Sequence, residues 1–301
     1  VALALPAEAN ARVVTVSGKR CRVDHADGRR LEARVRGKLL DDSLAVAVGD
    51  FVVVAEQADC WTVDARLPRR NEFLRQGLRH ERQVLFANVD RVLIFASIRE
   101  PETKTTSIDR FLVAALLGGI EPCLVITKTD LDCEMQRQGE LRSVYHGFQV
   151  PVFPVSNVSG EGIERLMPEL SEGITGLVGN SGVGKSSLMN RLLPGLDLRV
   201  QEVSSWSGKG KHTTTAALLV PFGERGAVID TAGMKSFTPY GLNRENLAGL
   251  FPEIGEFAPA CRFRNCRHVS EPDCAVRAAA ERGDLSGARL RSYYRLLGEV
   301  L

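Results

Sequence analysis

The sequence predicts an α/β protein in three parts: a small β-barrel, a larger domain on a parallel sheet, and a short helical C-terminal domain closed by a metal. Three observations predict it. Short β-branched runs crowd the first seventy residues. From residue 90 apolar runs alternate with helical stretches, and three cysteines and a histidine cluster between residues 261 and 274. The expected domains are 1–68, 69–240 and 241–301. A chain of 301 residues has room for two or three.

The barrel comes first. "ARVVTVSG", "RCRVDH", "RLEARVRG", "DFVVVAE" and "CWTVDARL" are rich in β-branched residues and are parted by Gly and Asp turns. Five short strands at this spacing favour a closed barrel, and the OB-fold is the commonest choice. "RLPRRNEFLRQGLRHERQ", residues 66–83, is arginine-dense, contains a proline and is expected to be a linker.

The central domain opens with the strand "DRVLIFASI". Strands are expected at 91–97, 122–127, 150–155, 174–179, 216–222 and 226–230, with helices near 107–118, 133–146 and 161–171 and another from Lys185. Such alternation signals a parallel sheet with crossover helices. After Gly241 the chain turns helical.

Composition sets limits. Apolar residues make up 44% and charged residues 25%, as in ordinary globular proteins. No apolar run approaches the ~20 residues of a membrane span. The start, "VALALPAEANARVV", lacks a basic region and a long apolar core, so no signal peptide is expected. A net charge of +2 confines any nucleic-acid surface to a local patch. Seven cysteines, an odd number, argue against a disulfide framework and for the cytoplasm. A monomer that does not contact membranes is expected.

Chemistry enters with Gly179-Asn180-Ser181-Gly182-Val183-Gly184-Lys185-Ser186, which fits G-x-x-x-x-G-K-[ST] between a buried strand and an amphipathic helix that continues through Ser187. Glycines let the backbone wrap a phosphate with its N–H groups inward, and the helix N-terminus adds partial positive charge. Lys185 is suited to the β- and γ-phosphates and the Ser186 hydroxyl to Mg²⁺. The loop alone does not separate ATP from GTP.

Two further segments lie on the metal side. Asp230-Thr231-Ala232-Gly233 follows the strand "GAVI"; Asp230 is suited to Mg²⁺ and the Gly233 N–H to the γ-phosphate. Between the two motifs lies "SGKGKHTTT", residues 207–215, placed as a first switch loop that orders with nucleotide. Of its three threonines Thr214 is favoured as the Mg²⁺ ligand. Met234 follows Gly233 where a water-orienting Gln is usual, so intrinsic hydrolysis is expected to be slow. His212 is the best local candidate for the missing catalytic group, beside Lys185 and Gly233.

Base choice is written earlier in the chain. In Thr127-Lys128-Thr129-Asp130, Asp130 can accept hydrogen bonds from guanine N1–H and its exocyclic amine. Adenine lacks that donor pair and would leave a carboxylate unpaired. Lys128 is expected to pack along the base, and Thr127 stands for the commoner Asn. Ser156-Asn157 in "VSNVSGEGI" fits the loop that faces guanine O6. An ATP-using P-loop kinase is opposed by Asp130, and an RNA-binding module with a vestigial site by the complete motif set. The order is reversed, since the base loop precedes the phosphate loop. A Ras-like sheet has its ends close together, so a circular permutation opened after D-x-x-G accounts for it.

Cys261-x₄-Cys266-x-His268-x₅-Cys274 offers three thiolates and an imidazole. Four such ligands fill a tetrahedral shell and point to one structural Zn²⁺. Arg262, Arg264 and Arg267, then Arg289, Arg291 and Arg295 with Tyr293 and Tyr294, suit RNA contact. A solvated helix face with a buried Tyr is the alternative.

Together these motifs closely resemble the bacterial circularly permuted GTPases known as ribosome small subunit-dependent GTPase A. The resemblance runs over nearly the whole chain: barrel, T/N-K-x-D, G-x-x-x-x-G-K-S, "HTTT", D-x-x-G and the cysteine cluster. It implies an N-terminal OB-fold, a circularly permuted Ras-like P-loop GTPase domain and a C-terminal α-helical zinc-binding domain. It implies GTP and GDP binding at Thr127–Asp130 and Gly179–Ser187, and zinc at Cys261, Cys266, His268 and Cys274. It also implies a late role in maturation of the 30S ribosomal subunit. There the protein would bind 16S rRNA, hydrolyse GTP when the subunit stimulates it, and then dissociate. It points to His212 as the catalytic histidine.

Overall fold

The computed structural model describes residues 5–39, 45–57, 60–146, 150–193 and 217–300. Five strands form the barrel: β1 (Ala11–Ser17), β2 (Arg20–His25), β3 (Arg30–Val35), β4 (Phe51–Gln57) and β5 (Cys60–Arg66). They run β1-β2-β3-β5-β4, and β4 pairs back onto β1 to close the ring. Only the β3–β5 pair is parallel. Alternation sends Ala11 and Val13, Cys21 and Val23, Ala33 and Val35, Val52 and Val54, and Val63 into one core. Asn10 bonds Val54 through both its amide oxygen and its amide nitrogen, each at 2.8 Å, and so extends the closing seam.

Residues 66–83, expected as a linker, are not one. They enter a two-stranded antiparallel hairpin of β6 (Glu72–Gln76) and β7 (Arg82–Ala87). Phe73 and Phe86 are register partners, stack at 5.1 Å between centroids and are fully buried. The arginines that suggested a solvated tether are tied down. Arg69 is buried and bonds both Asp50 oxygens at 2.7 Å.

The central sheet runs β10-β9-β8-β11-β13-β12. Its strands are β8 (Arg91–Ser97), β9 (Glu121–Thr127), β10 (Val152–Pro154), β11 (Glu172–Gly179), β12 (Leu218–Phe222) and β13 (Arg225–Asp230). All are parallel except the edge strand β12. The chain enters at β8, steps outward through β9 and β10, and returns to the centre at β11. β11 thus lies between β8 and β13 although it follows β10 in sequence, which is the permuted order expected. Both faces are covered by apolar side chains. Val92, Ile94 and Ala96 of β8 face one core, and Leu93 and Phe95 face the other. The helices here are α1 (Thr105–Leu117), α2 (Gln136–His146), α3 (Ile163–Ser171) and α4 (Lys185–Leu192). One pair, Thr15 with Leu218, stitches the barrel to the sheet.

The C-terminal region carries α5 (Pro252–Phe257), α6 (Ala275–Arg282) and α7 (Gly287–Glu299). Here one expectation is corrected. Arg289 is 2% exposed and is not a surface arginine. Its Nε donates to Glu253 at 2.6 Å, its Nη1 donates to the buried Asp109 of α1, and its guanidinium lies over Phe251. Tyr293 is buried as well. Both tyrosines hold backbone of the cysteine loop, Tyr293 Oη at Arg267 O (3.2 Å) and Tyr294 Oη at His268 O (2.6 Å). Arg291 and Arg295 are exposed.

Candidate functional site

Because β9, β10, β11 and β13 are parallel, their C-terminal ends share one edge of the sheet. Ligands of open α/β sheets bind there. Among the described residues, all the motif loops leave from that edge, and they bond to one another.

The phosphate loop turns at Gly182 (φ 82°) and Gly184 (φ 90°), backbone angles that side chains beyond glycine adopt at a cost. The loop's shape is held from outside. Thr127 is fully buried at the end of β9, and its hydroxyl donates to Val183 O at 2.6 Å. A trans peptide is planar with its C=O and N–H opposed. Pinning the Val183 carbonyl toward Thr127 therefore turns the Gly184 N–H to the other side of the loop. Asn157 Nδ2 donates to Gly184 O at 3.2 Å, beside the helical bond from Leu188 N at 3.0 Å. Ser186 is half-buried and Ser187 exposed at the start of α4.

Lys128 adopts a left-handed backbone (φ 60°) and its ammonium donates to Glu100 O. The neighbouring Pro101 lies against the phosphate loop, where a Cβ on Gly182 would stand 3.2 Å from its Cδ. Thr129 opens the short turn Thr129–Leu131, and its N–H points to Val155 O at 3.4 Å. Asp130 is exposed. Ser156 is buried, and its hydroxyl lies 2.6 Å from Asp130 Oδ1 while accepting from the N–H groups of Val158 (3.2 Å) and Ser159 (3.1 Å). A hydroxyl has one proton, so that proton goes to Asp130. One carboxylate oxygen is fixed, and each can still accept from an incoming donor.

On the far side, Lys185 is 4% exposed. Its ammonium donates to Thr231 O and lies 3.5 Å from Asp230 Oδ1. That second distance is a charge contact, and Oδ1 is buried with no hydrogen-bond donor. Burial raises the Asp230 pKa, and the Lys185 charge only partly offsets it. A buried carboxylate with an unsatisfied oxygen fits a divalent cation. Gly233 lies so close to the phosphate loop that a Cβ would stand 2.8 Å from Ser181 Cα. Met234 N donates to Gly179 O and Ser181 N to Met234 O, both at 3.2 Å. The Met234 side chain is buried in the apolar core. His212 and Thr214 lie outside the described residues.

Arg191 was not foreseen. Its Nη1 donates to Asn157 O at 2.5 Å, and its guanidinium lies over Gly160, where a Cβ would stand 2.6 Å from Nη2. The only signal in the sequence is a basic residue on the phosphate-loop helix, fewer than two turns past Lys185.

Far along the chain, Cys261, Cys266, His268 and Cys274 bring their ligand atoms within 4.8 Å of one another. His268 Nδ1 is 3.5 Å from both Cys261 Sγ and Cys274 Sγ, and those sulfurs are 3.9 Å apart. Sulfurs on a tetrahedral Zn²⁺ at ~2.3 Å stand at about this separation. The four residues fit zinc through three Sγ atoms and Nδ1, with no ligand position to spare.

Residues 66–239 match the family model described as RsgA GTPase. The chain is 38% identical over 282 residues to the small ribosomal subunit biogenesis GTPase RsgA of Gemmatimonas aurantiaca, covering 91% of this chain and 92% of that one. It is 36% identical over 281 residues to the protein of that name from Thermotoga maritima, covering 92% of each. The solved structure of YjeQ from Thermotoga maritima superposes with a TM-score of 0.75 at 32% identity, over 96% of this chain and 97% of the other. That of YloQ, a circularly permuted GTPase, does so with a TM-score of 0.71 at 26% identity, over 96% and 94%.

Proposed function

Since the chain belongs to the RsgA GTPase family, we propose that it hydrolyses GTP as a maturation factor of the small ribosomal subunit. It binds the 30S subunit and its 16S rRNA in the GTP state, hydrolyses GTP when the subunit stimulates it, and dissociates as the GDP form. One observation carries the reading. Base-side and phosphate-side loops are bonded into a single edge, Thr127 to Val183, Asn157 to Gly184, and Met234 to both Gly179 and Ser181. A base reader held in register with a phosphate cradle is what guanine nucleotide recognition needs. The protein is taken to act as a cytoplasmic monomer. Its working divisions are 1–68, 69–240 and 241–301.

Each residue has a task. Asp130 accepts from guanine N1–H and N2–H, one on each carboxylate oxygen, with the Ser156 hydroxyl fixing Oδ1 and Asn157 tying that loop to the phosphate side. Lys128 and Thr129 flank the base. Main-chain N–H groups from Gly182 to Ser187 surround the phosphates. Lys185 moves from Thr231 O to the β- and γ-phosphates, where its charge counters the negative charge that builds as the P–O bond breaks. The Gly233 N–H donates to the γ-phosphate. Mg²⁺, when bound by Ser186, Asp230 and Thr214, supplies charge neutralisation at the phosphate oxygens.

Water must be oriented for attack, and Met234 has no group to do so. His212 takes that role in the reaction that the subunit stimulates. Partner-supplied groups of this kind commonly raise GTPase rates by ~10³–10⁵. The C-terminal zinc fold is structural, and the permutation hangs it directly on the D-x-x-G loop. GTP binding therefore biases how that fold meets the subunit, and by linkage the subunit tightens GTP.

His212→Ala separates binding from chemistry. In a pelleting assay it should co-sediment with 30S subunits in GTP as wild type does with a non-hydrolysable analogue, while phosphate release in the same tubes falls at least about a hundredfold. Equal 30S affinity in GTP, GDP and analogue would remove the switch. Wild-type phosphate release from the variant would remove His212 from catalysis.

A further inference from the structure

A groove of about 880 Å³ runs between α1, α2 and α7. Its walls come from two parts of the protein. Lys104, Arg110 and Arg137 stand on the sheet-domain side, and Arg291 and Arg295 stand on α7. Three carboxylates, those of Glu102, Glu140 and Glu299, share the lining. The pairing is uneven. Arg110 is paired with Glu299 across the groove, Arg137 with Glu102 and Glu140, and Arg295 donates to Thr106 Oγ1 at 2.9 Å. Lys104 and Arg291 are exposed, and their side chains make no ion pair or hydrogen bond among the described residues. All three carboxylates are engaged by arginine, so the potential left over in the groove is positive.

The floor adds to it. α1 begins at Thr105 behind Lys104, and no side chain caps it. Ser107 N bonds Lys104 O, while the N–H groups of Thr105 and Thr106, at the start of this thirteen-residue helix, have no capping side chain, and Thr105, Thr106 and Ser107 line the groove. Hydroxyls, uncapped N–H groups and unpaired cations are the usual contacts to phosphate oxygens. Leu141, Val144 and Ala288 give the lining an apolar strip beside these charges. An open trough with cations along both walls suits a strand better than a compact anion.

We propose that this groove receives a phosphodiester strand of RNA. The inference rests on the reading that the protein works on the small ribosomal subunit. Lys104 and Arg291 supply the free charge, one from each wall. The strand bridges the GTPase domain to the zinc-bearing region. It is therefore bound fully only when α7 is docked on α1 as it is here. Arg289, buried against Asp109 beneath the groove, maintains that docking.

The test uses the full-length, zinc-loaded protein and purified 30S subunits with a non-hydrolysable GTP analogue. Lys104→Gln/Arg291→Gln should weaken 30S binding about tenfold at 0.15 M salt. It should lower the slope of log K against log salt by about 1.4, the value for two contacts to a single strand. Intrinsic GTPase activity and zinc content should not change, since neither residue touches those sites. A second arm places p-benzoylphenylalanine at Ala288, on the groove wall, and irradiates the complex. Crosslinking to 16S rRNA is expected. Crosslinking to a ribosomal protein, or no crosslink in a complex that sediments normally, overturns the proposal. So does a double variant with wild-type affinity and salt slope. If wild type itself does not sediment with 30S subunits, the underlying functional reading fails instead.

Discussion

Thr127→Val removes one hydroxyl and keeps the side-chain shape. The consequence follows from burial. Thr127 is 0% exposed, so no water can replace the 2.6 Å bond to Val183 O. The variant leaves a buried carbonyl without its donor, which costs about 1–3 kcal/mol. Part of that appears as stability and part as nucleotide affinity, because the Val183–Gly184 peptide is no longer held with its N–H turned away from Thr127. Losing one well-placed N–H to a charged phosphate is worth about 1.5–3 kcal/mol, or roughly 10- to 150-fold in Kd. GDP and GTP should weaken alike, since the β-phosphate is common to both. Thr127→Ser keeps the hydroxyl and should stay within about threefold of wild type, a difference below ~1 kcal/mol. Fluorescent-nucleotide titration gives the Kd values, and thermal melting of the nucleotide-free protein gives the stability share. Wild-type GDP affinity together with an unchanged melting temperature in Thr127→Val would refute the reasoning.

Asp130→Asn should weaken GTP and improve xanthosine triphosphate, because the amide presents a donor where xanthine has a carbonyl; unchanged GTP affinity in a competition titration would contradict the base assignment. Burial raises the Asp230 pKa in the nucleotide-free protein, and a divalent cation favours the ionised form. Mg²⁺-nucleotide binding should therefore release protons from Asp230 and weaken as pH falls through that raised pKa. Calorimetry in buffers of different ionisation enthalpy should show this release in wild type and lose it in Asp230→Asn; equal release from both would exclude Asp230. Zinc should be found at one equivalent by metal analysis, and Cys266→Ser should lose it. Zinc binding in small metal-dependent folds is worth on the order of 10 kcal/mol, so the variant's C-terminal region should become protease-sensitive. A metal-free wild type with an intact C-terminal region would contradict the site.

The fold was legible where a residue's pattern had one structural solution. Alternating Val and Ala residues fixed the barrel strands, and glycines with Lys185 fixed a strand–loop–helix join. The reversed order of T-K-x-D and G-x-x-x-x-G-K-S implied the permuted sheet, and β11 lies at its centre as that requires. Charge density was a poorer guide. The segment holding Arg69, Arg70 and Arg75 read as a solvated tether, yet Asp50, fully buried and distant in sequence, draws Arg69 inward. Arg289 read as surface for the same reason, since its partners Asp109 and Glu253 lie far from it in the chain. Within the site, Asp130 and Lys185 were identified as residue types suited to guanine and phosphate. What Thr127, Ser156 and Asn157 touch was not legible, because their partners are backbone atoms and a side chain in other loops. Arg191 belongs to no motif.

The central claim is that this chain is a GTPase which the small ribosomal subunit switches on. Steady-state phosphate release from GTP, measured with and without purified 30S subunits, tests it most directly. Turnover should be slow alone, because Met234 is buried and offers water no partner. With saturating 30S subunits it should rise by at least about a hundredfold, as for other GTPases completed by a partner. The same slow rate with and without subunits, in protein that binds GTP and carries zinc, would contradict the claim.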